Sequence, residues 1–241
     1  MWEYLKNSKE LDRYLSNASV FINEYGNGQI FDVMVLLEDA DFVERFVPTH
    51  GPNFVIDKHI ENHDIFIRVK HYSWMENDFS RRLPIALWIL KNSFVLQEKD
   101  KKINLAINKY QKKFELSVVD MMRQKYLELR SERHNLRSSL ERDDRVASIL
   151  IKATIVKLSL ELCLLSERKT YPFKMLLPQI AIEQSESGEE ILNICTSFLD
   201  CNEHEGSIIL SDRLIKRLIS VLSDKTDLSV DFLEKWWLYL S

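Results

Sequence analysis

Near Ser73 the hydrophobic period of this 241-residue chain changes from about two residues to about 3.6, and that change sets the fold class. Before it, Ile65, Ile67 and Val69 alternate with Asp64, Phe66, Arg68 and Lys70. His63–His71 therefore reads as a half-buried strand with Asp64 and Arg68 on one face. Ile30–Leu37 is a β-branched and aliphatic run between Gly26-Asn27-Gly28 and Glu38-Asp39, and reads as a second strand. Asn53–Asp57 is extended as well. Trp2–Ser16 has helical spacing, and a short helix over Ala40–Phe46 leads to the breaker Pro48. Beyond Ser73 the predicted helices are Trp74–Phe79, Leu83–Lys91, Lys101–Arg133, Ser139–Leu165, Phe173–Ile182, Glu189–Leu199, Ser211–Leu222 and Ser229–Leu240, with Ser223–Asp227 as a polar turn. The order predicts an α+β protein: a small mixed sheet over residues 1–72, then a mostly α-helical bundle over 73–241, with 205–241 as a candidate C-terminal helical subdomain.

Five glycines, five prolines and 45% hydrophobic residues fit a globular, helix-leaning chain. A net charge of −4 argues against a general nucleic-acid binder, so DNA is not an expected partner. Three cysteines, Cys163, Cys195 and Cys201, fit a reduced, cytoplasmic protein. Met1-Trp2-Glu3-Tyr4 lacks the basic start of a secretory signal. Val146–Leu165 has the length of a membrane span. Lys152, Lys157 and Glu161 interrupt it, so a buried bundle helix is expected and a membrane partner is not.

On a helical wheel, Glu141, Arg145, Ser148, Lys152 and Ser159 form one polar stripe; Thr154, Lys157 and Glu161 form another, nearly opposite. One stripe can face solvent and the other a polar cleft, where Arg145 and Lys152 would offer cations to a phosphate-bearing ligand. Two solvated faces or internal ion pairs would give the same pattern. Lys157 and Glu161 are spaced to pair at i,i+4.

Asp32 lies in the strand Ile30–Leu37, and its neighbours two residues away are Ile30 and Met34, neither a ligand for a hard cation. Asp64 lies on the later strand. Asp39-Ala40-Asp41 has carboxylate-pair spacing but follows the strand, where it reads as a helix cap. Asp32 and Asp64 read equally as solvated acids at sheet edges.

Together, Ser19–Glu38, Ser73–Phe79, Leu83–Leu96, Glu141–Arg145 and Tyr171-Pro172-Phe173-Lys174 resemble the nucleotidyltransferase superfamily, in the manner of the kanamycin (aminoglycoside) nucleotidyltransferases. The likeness spans about residues 19–177. It implies a carboxylate-bearing sheet followed by helices, a nucleoside triphosphate with Mg²⁺ held by Asp32 and Asp64 as metal-binding and catalytic residues, and Lys174 near the phosphates. Arg145 and Lys152 would join Lys174 as nucleotide-binding cations in an interdomain cleft. The family's strand carries two acids one residue apart after a Gly-Ser turn; here Asp32 stands alone, after Ala18-Ser19 and Tyr25-Gly26-Asn27-Gly28. The resemblance therefore implies a degenerate member that binds a nucleotide or another phosphate-bearing ligand. Two readings stay open beside it. One is an active Mg²⁺-dependent transferase modifying a small-molecule or protein hydroxyl. The other is a non-catalytic regulatory module that uses the C-terminal helices, with Arg213, Lys216 and Arg217 on the first of them and Trp236-Trp237 near the end as a core or interface anchor. A homodimer is compatible with each.

His59, Glu61 and His63 would share a face if the segment were continuously extended, which makes a Zn²⁺ site conceivable. Arg130–His134 is best read as a solvated charged helix. The chain contains no P-loop, no dinucleotide-binding glycine pattern and no nucleophile elbow.

Overall fold

A computed structural model of the chain describes residues 2–25, 28–60 and 62–239, and divides into two compact units, residues 1–113 and 114–241. The first unit opens with two short helices, α1 (Trp2–Lys6) and α2 (Asp12–Leu15), where one helix over Trp2–Ser16 was expected. Strands β1 (Ser19–Tyr25) and β2 (Ile30–Leu37) pair antiparallel. The Gly26-Asn27 part of the predicted turn lies outside the described residues. A π-helical turn, Asp41–Phe46, and α3 (Val47–His50) lead to β3 (Val55–Ile60) and β4 (His63–His71). Helices α4 (Tyr72–Arg81) and α5 (Leu83–Lys91) follow, then β5 (Phe94–Gln97). The sheet is mixed, in the order β3-β4-β2-β1-β5, with β2 and β4 parallel and the other pairs antiparallel.

Alternation along β2 and β4 assigns the two faces of this sheet. Val33, Val35 and Leu37, with Ile65, Ile67 and Val69, are buried in one apolar cluster with Leu5, Leu11, Leu15, Phe42 and Phe46 from the first helical segments. The opposite face carries Asp32 and Met34 of β2, Asp64 and Arg68 of β4, and Phe21 and Asn23 of β1. Against it lie Met75 and Phe79 of α4 and Ala86 and Leu90 of α5. Asp39 caps a helix, but it is α4 and not the turn that follows it. Its carboxylate accepts hydrogen bonds from the Ser73 amide (3.1 Å) and hydroxyl, and lies 3.3 Å from His71. Burial alone would raise the Asp39 pKa, but these Ser73 and His71 contacts hold it below the usual carboxylate range.

Helix α6 (Lys102–Glu141) belongs to the first unit up to Lys113 and to the second from Phe114. In the first unit its Tyr110 ring stacks on Phe79 with centroids 4.0 Å apart. In the second, Phe114, Val118, Met122, Tyr126, Leu129 and Leu136 form a fully buried stripe at helical spacing. The segment predicted as one helix over Ser139–Leu165 is broken: α6 ends at Glu141 and α7 runs over Arg145–Ser166. Asp143 takes a left-handed φ of 54°, and the Asp144 carboxylate caps α7 by accepting the Ala147 amide at 3.0 Å. The remainder is α8 (Leu177–Gln184), α9 (Gly188–Asp200), α10 (His204–Lys225), α11 (Val230–Glu234) and a 3-10 turn, Trp236–Tyr239. Leu240, the predicted end of the last helix, lies outside the described residues. Helix α9 packs on α7, α8 and α10. Gly188 is required where α8 meets α9, because a Cβ there would stand 1.8 Å from the Ala181 carbonyl oxygen. Among the described residues no helix is long and apolar enough to cross a membrane.

Candidate functional site

The strand register puts Asp32 opposite Asn23 on β1 and Phe66 on β4, and Asp64 opposite Ile30. Asp32 and Asp64 therefore share a face, offset by two residues along neighbouring strands, roughly 8 Å apart at Cα from strand geometry. Each carboxylate has its own basic partner, a histidine ring for Asp64 and a guanidinium for Asp32. Asp64 Oδ1 lies 2.7 Å from His59 Nδ1 across the β3–β4 pair, and Asp32 Oδ2 lies 3.3 Å from Arg68 Nη2. The Asp64 side chain is half exposed, whereas only 20% of the Asp32 side chain is accessible. Asp32 Oδ1 is buried with no hydrogen-bond partner. Burial pushes the Asp32 pKa up, and Arg68 offsets part of that rise.

Asp32 and Arg68 line a cavity of about 80 Å³ closed by Phe21, Met34, Trp74, Phe79 and Leu90. Asp78 and Arg82 complete its polar part, with the guanidinium Nη2 donating to Asp78 Oδ1 at 2.6 Å. Small-ligand sites occupy roughly 300–1,000 Å³, so this cavity is too small for a nucleotide. The Mg²⁺ that the sequence resemblance implies would need several oxygen ligands. Around Asp32 the face offers Ile30, Met34, Phe66 and an amide, Asn23, whose Oδ1 accepts from Ser93 Oγ at 3.0 Å, and the cavity's second carboxylate, Asp78, is held by Arg82. Among the described residues no group of three or more His, Cys, Asp or Glu side chains could hold a metal ion. The donors present around Asp32 do not fit a multi-carboxylate magnesium site.

The predicted His59-Glu61-His63 arrangement also changes. The chain reverses between Ile60 and His63, so His59 pairs with Asp64 on one face and His63 lies on the other, 5.5 Å from the Phe31 ring. Glu61 lies outside the described residues.

In the second unit, Arg145 and Lys152 line one pocket of about 560 Å³, together with Ser148, Cys201, Asn202 and His204. Lys152 is 8% exposed; its Nζ donates to the Cys201 carbonyl at 2.5 Å and stands 5.2 Å from the Phe198 ring centroid. Burial holds its pKa below the ordinary lysine value, with Cys201 acting in the opposite sense. Glu141, the first member of the predicted stripe, belongs to α6. Arg145 is exposed, and the rest of that stripe turns inward: Ser148, Lys152 and Ser159 are buried, and Ser148 Oγ is 2.9 Å from Ser139 Oγ. On the other stripe Glu161 is buried too, held by Lys125 at 2.5 Å and Lys157 at 3.5 Å. Lys174 stands apart, exposed in the irregular segment before α8; that helix starts at Leu177, with Pro178 in its first turn, and not at Phe173.

A crystal structure of a nucleotidyltransferase-like protein from Exiguobacterium sibiricum 255-15 superimposes with a TM-score of 0.53 at 10% identity, covering 93% of this chain and 78% of that one. The fold is nucleotidyltransferase-like. No protein-family model matches the sequence, and no curated protein does. At 10% identity the likeness carries the architecture, a mixed sheet followed by helices, and leaves the chemistry to the side chains.

Sequence reasoning did not pair Asp32 with Arg68, although both were placed on strands. The pairing depends on β2 and β4 being adjacent and parallel, which no local pattern encodes. The Asp78–Arg82 pair was legible as an i,i+4 ion pair. His204 and Cys201 join Lys152 only through the packing of α7, α9 and α10.

Proposed function

We propose that this chain is a degenerate nucleotidyltransferase-like protein: it binds a nucleotide or another phosphate-bearing ligand and does not transfer a nucleotidyl group. The observation that carries this reading is the state of Asp32. It is the one acid at the position of the family's pair. It is flanked by Ile30 and Met34, has Arg68 as its cationic partner, and is enclosed in a cavity of about 80 Å³. A carboxylate with a guanidinium partner and a raised pKa is a poor ligand for a hard cation. Ligand binding falls instead to cations, with Arg145 and Lys152 as the phosphate-holding pair; Lys174, which stands apart from their pocket, is not part of it. The transferase reading draws on one observation, that Asp32 and Asp64 share a sheet face. His59 at 2.7 Å from Asp64 and the size of the cavity weigh against it.

The test is a thermal-shift titration with ATP, GTP, CTP and UTP, each with and without Mg²⁺, on the native chain and Asp32→Asn. A ligand that binds only the folded state raises the melting temperature by mass action. Stabilisation that is independent of Mg²⁺ and survives Asp32→Asn supports the proposal. Stabilisation that needs both Mg²⁺ and Asp32 would replace it with the transferase reading.

A further inference from the structure

Lys152 is a buried ammonium without a counter-ion. It is nine-tenths buried, on the second turn of α7, and its partners are a neutral carbonyl, that of Cys201, and the face of Phe198. Among the described residues no carboxylate lies within ion-pair distance of it. The contrast lies in the same helix bundle. Lys125, a part-buried lysine, has Glu161 at 2.5 Å, and Lys225, another, has Glu167 at 2.9 Å and Glu186 at 2.7 Å. Burying an uncompensated charge is costly, and a site that binds an anion relieves that cost when it fills.

The surroundings of Lys152 suit such an anion. The pocket it lines, about 560 Å³, lies within the size range of small-molecule sites. Arg145, one α-helical repeat of seven residues before Lys152, stands exposed at the rim with no ion-pair partner among the described residues. His204 and Asn202 bring the start of α10 to the same rim. Among the described residues one carboxylate lines the pocket, Asp143; its side chain is 94% exposed and lies 3.8 Å from His204, so it faces solvent and an imidazole. The walls next to the cations are apolar: Leu140, Ile149 and Leu199. Lys152 and Arg145 line the same pocket, whose volume of about 560 Å³ accommodates a phosphoryl group. The apolar walls leave room for an organic part beside it.

We propose that the Arg145–Lys152–His204 pocket is a phosphomonoester-binding site, Lys152 supplying the buried countercharge and Leu140, Ile149 and Leu199 packing the organic moiety. This deepens the phosphate-ligand reading above and rests on it for the ligand class, but the residues it names lie wholly within the second unit. Arg145 serves as a guanidinium fork at the entrance, suited to two phosphate oxygens at once. The carbonyl of Cys201, which also accepts the Ser207 hydroxyl at 3.2 Å, holds the Lys152 ammonium in place.

The experiment is a titration of the full chain with AMP, adenosine and inorganic phosphate at constant ionic strength, read by calorimetry and by melting temperature. The variants are Lys152→Met, Arg145→Ala and Asp32→Asn. AMP and phosphate should bind and adenosine should not. Lys152→Met should weaken AMP at least tenfold while melting no lower than the native chain in the absence of ligand, because it removes a buried unpaired charge. Arg145→Ala, exposed and without structural partners, should weaken AMP severalfold with no change in melting, and carries the test if Lys152→Met does not fold. Asp32→Asn should bind AMP as the native chain does. Equal AMP affinity in native, Lys152→Met and Arg145→Ala proteins would overturn the site. So would absence of phosphate-dependent binding, or AMP binding lost in Asp32→Asn and kept in Lys152→Met. Because Asp32→Asn reports on the first unit and Lys152→Met on the second, failure of this site and failure of the non-catalytic reading give different patterns.

Discussion

Arg68 on β4 stands 3.3 Å from Asp32 on the neighbouring parallel strand β2, and this contact occupies one carboxylate oxygen while the other is buried without a partner. The parallel register makes it: Met34 is opposite Arg68 and Asp32 opposite Phe66, so the guanidinium reaches back two residues along the shared face. A carboxylate held this way costs stability when ionised, which gives the first prediction.

Asp32 has a raised folded-state pKa, caused by burial and only partly offset by Arg68. Its contribution is favourable at low pH and is lost as pH rises through that pKa. Asp32→Asn should therefore match the native chain near pH 3.5 and exceed it at pH 7 by about 0.5–1 kcal/mol, in line with the cost of an unsatisfied buried polar group. Urea unfolding at the two pH values measures the difference. A variant less stable at pH 7 than at pH 3.5, relative to native, would reverse the sign.

Glu167 behaves oppositely. Burial would raise its pKa, but Lys169, Lys225, the Ser185 hydroxyl and the Glu186 amide outweigh it and bring the value to about 2. Its stabilisation is complete above the ordinary carboxylate pKa and is lost as pH falls from about 4.5 toward 2. Glu167→Gln should cost about 2 kcal/mol at pH 7, of the order expected for a carboxylate accepting several charge-assisted bonds, and should flatten the acid limb of the stability curve. A stability–pH profile of both proteins checks it.

Glu161 and Lys125 form a buried pair at 2.5 Å, with Glu161 only 3% exposed. Lys157, 3.5 Å from Glu161 and more exposed, would remain as its one cation, so Lys125→Met should destabilise by about 2 kcal/mol, less than for a carboxylate left wholly uncompensated. The double variant Lys125→Met/Glu161→Leu should recover most of that loss. Chemical denaturation of these two variants and of Glu161→Leu, beside the native chain, completes the cycle.

Gly188→Ala should be among the costliest single-methyl additions in the chain. The new Cβ would meet the backbone oxygen of Ala181 at 1.8 Å, and backbone cannot move aside as a flexible side chain can. A loss of about 2 kcal/mol or more is expected, measured by the urea midpoint.

The sheet and the helices were legible where one period runs unbroken. β2 and β4 occupy the predicted ranges Ile30–Leu37 and His63–His71, and α5 the predicted Leu83–Lys91. The short edge strand β5 was not, because four residues, two of them exposed, carry too little alternation to register. The break at Asp143 was written in the sequence as Asp-Asp-Arg, an N-cap signal, but the apolar run on either side masked it. In the second unit, the helical wheel placed Arg145 and Lys152 on one side of α7, and the pocket lies there. What the wheel could not supply was Lys152's depth and its lack of a carboxylate, since both depend on α9 and α10, about fifty residues away in sequence.

The central claim, that the Asp32 face has lost its metal chemistry, is tested most directly by electron paramagnetic resonance of Mn²⁺ titrated into native and Asp32→Asn proteins in the presence of ATP. The account predicts the same Mn²⁺ spectra for both proteins, those of ATP-bound and free ion, with no stoichiometric site that depends on Asp32. A bound Mn²⁺ signal of one or two ions per chain, present in the native protein and lost in Asp32→Asn, would contradict it.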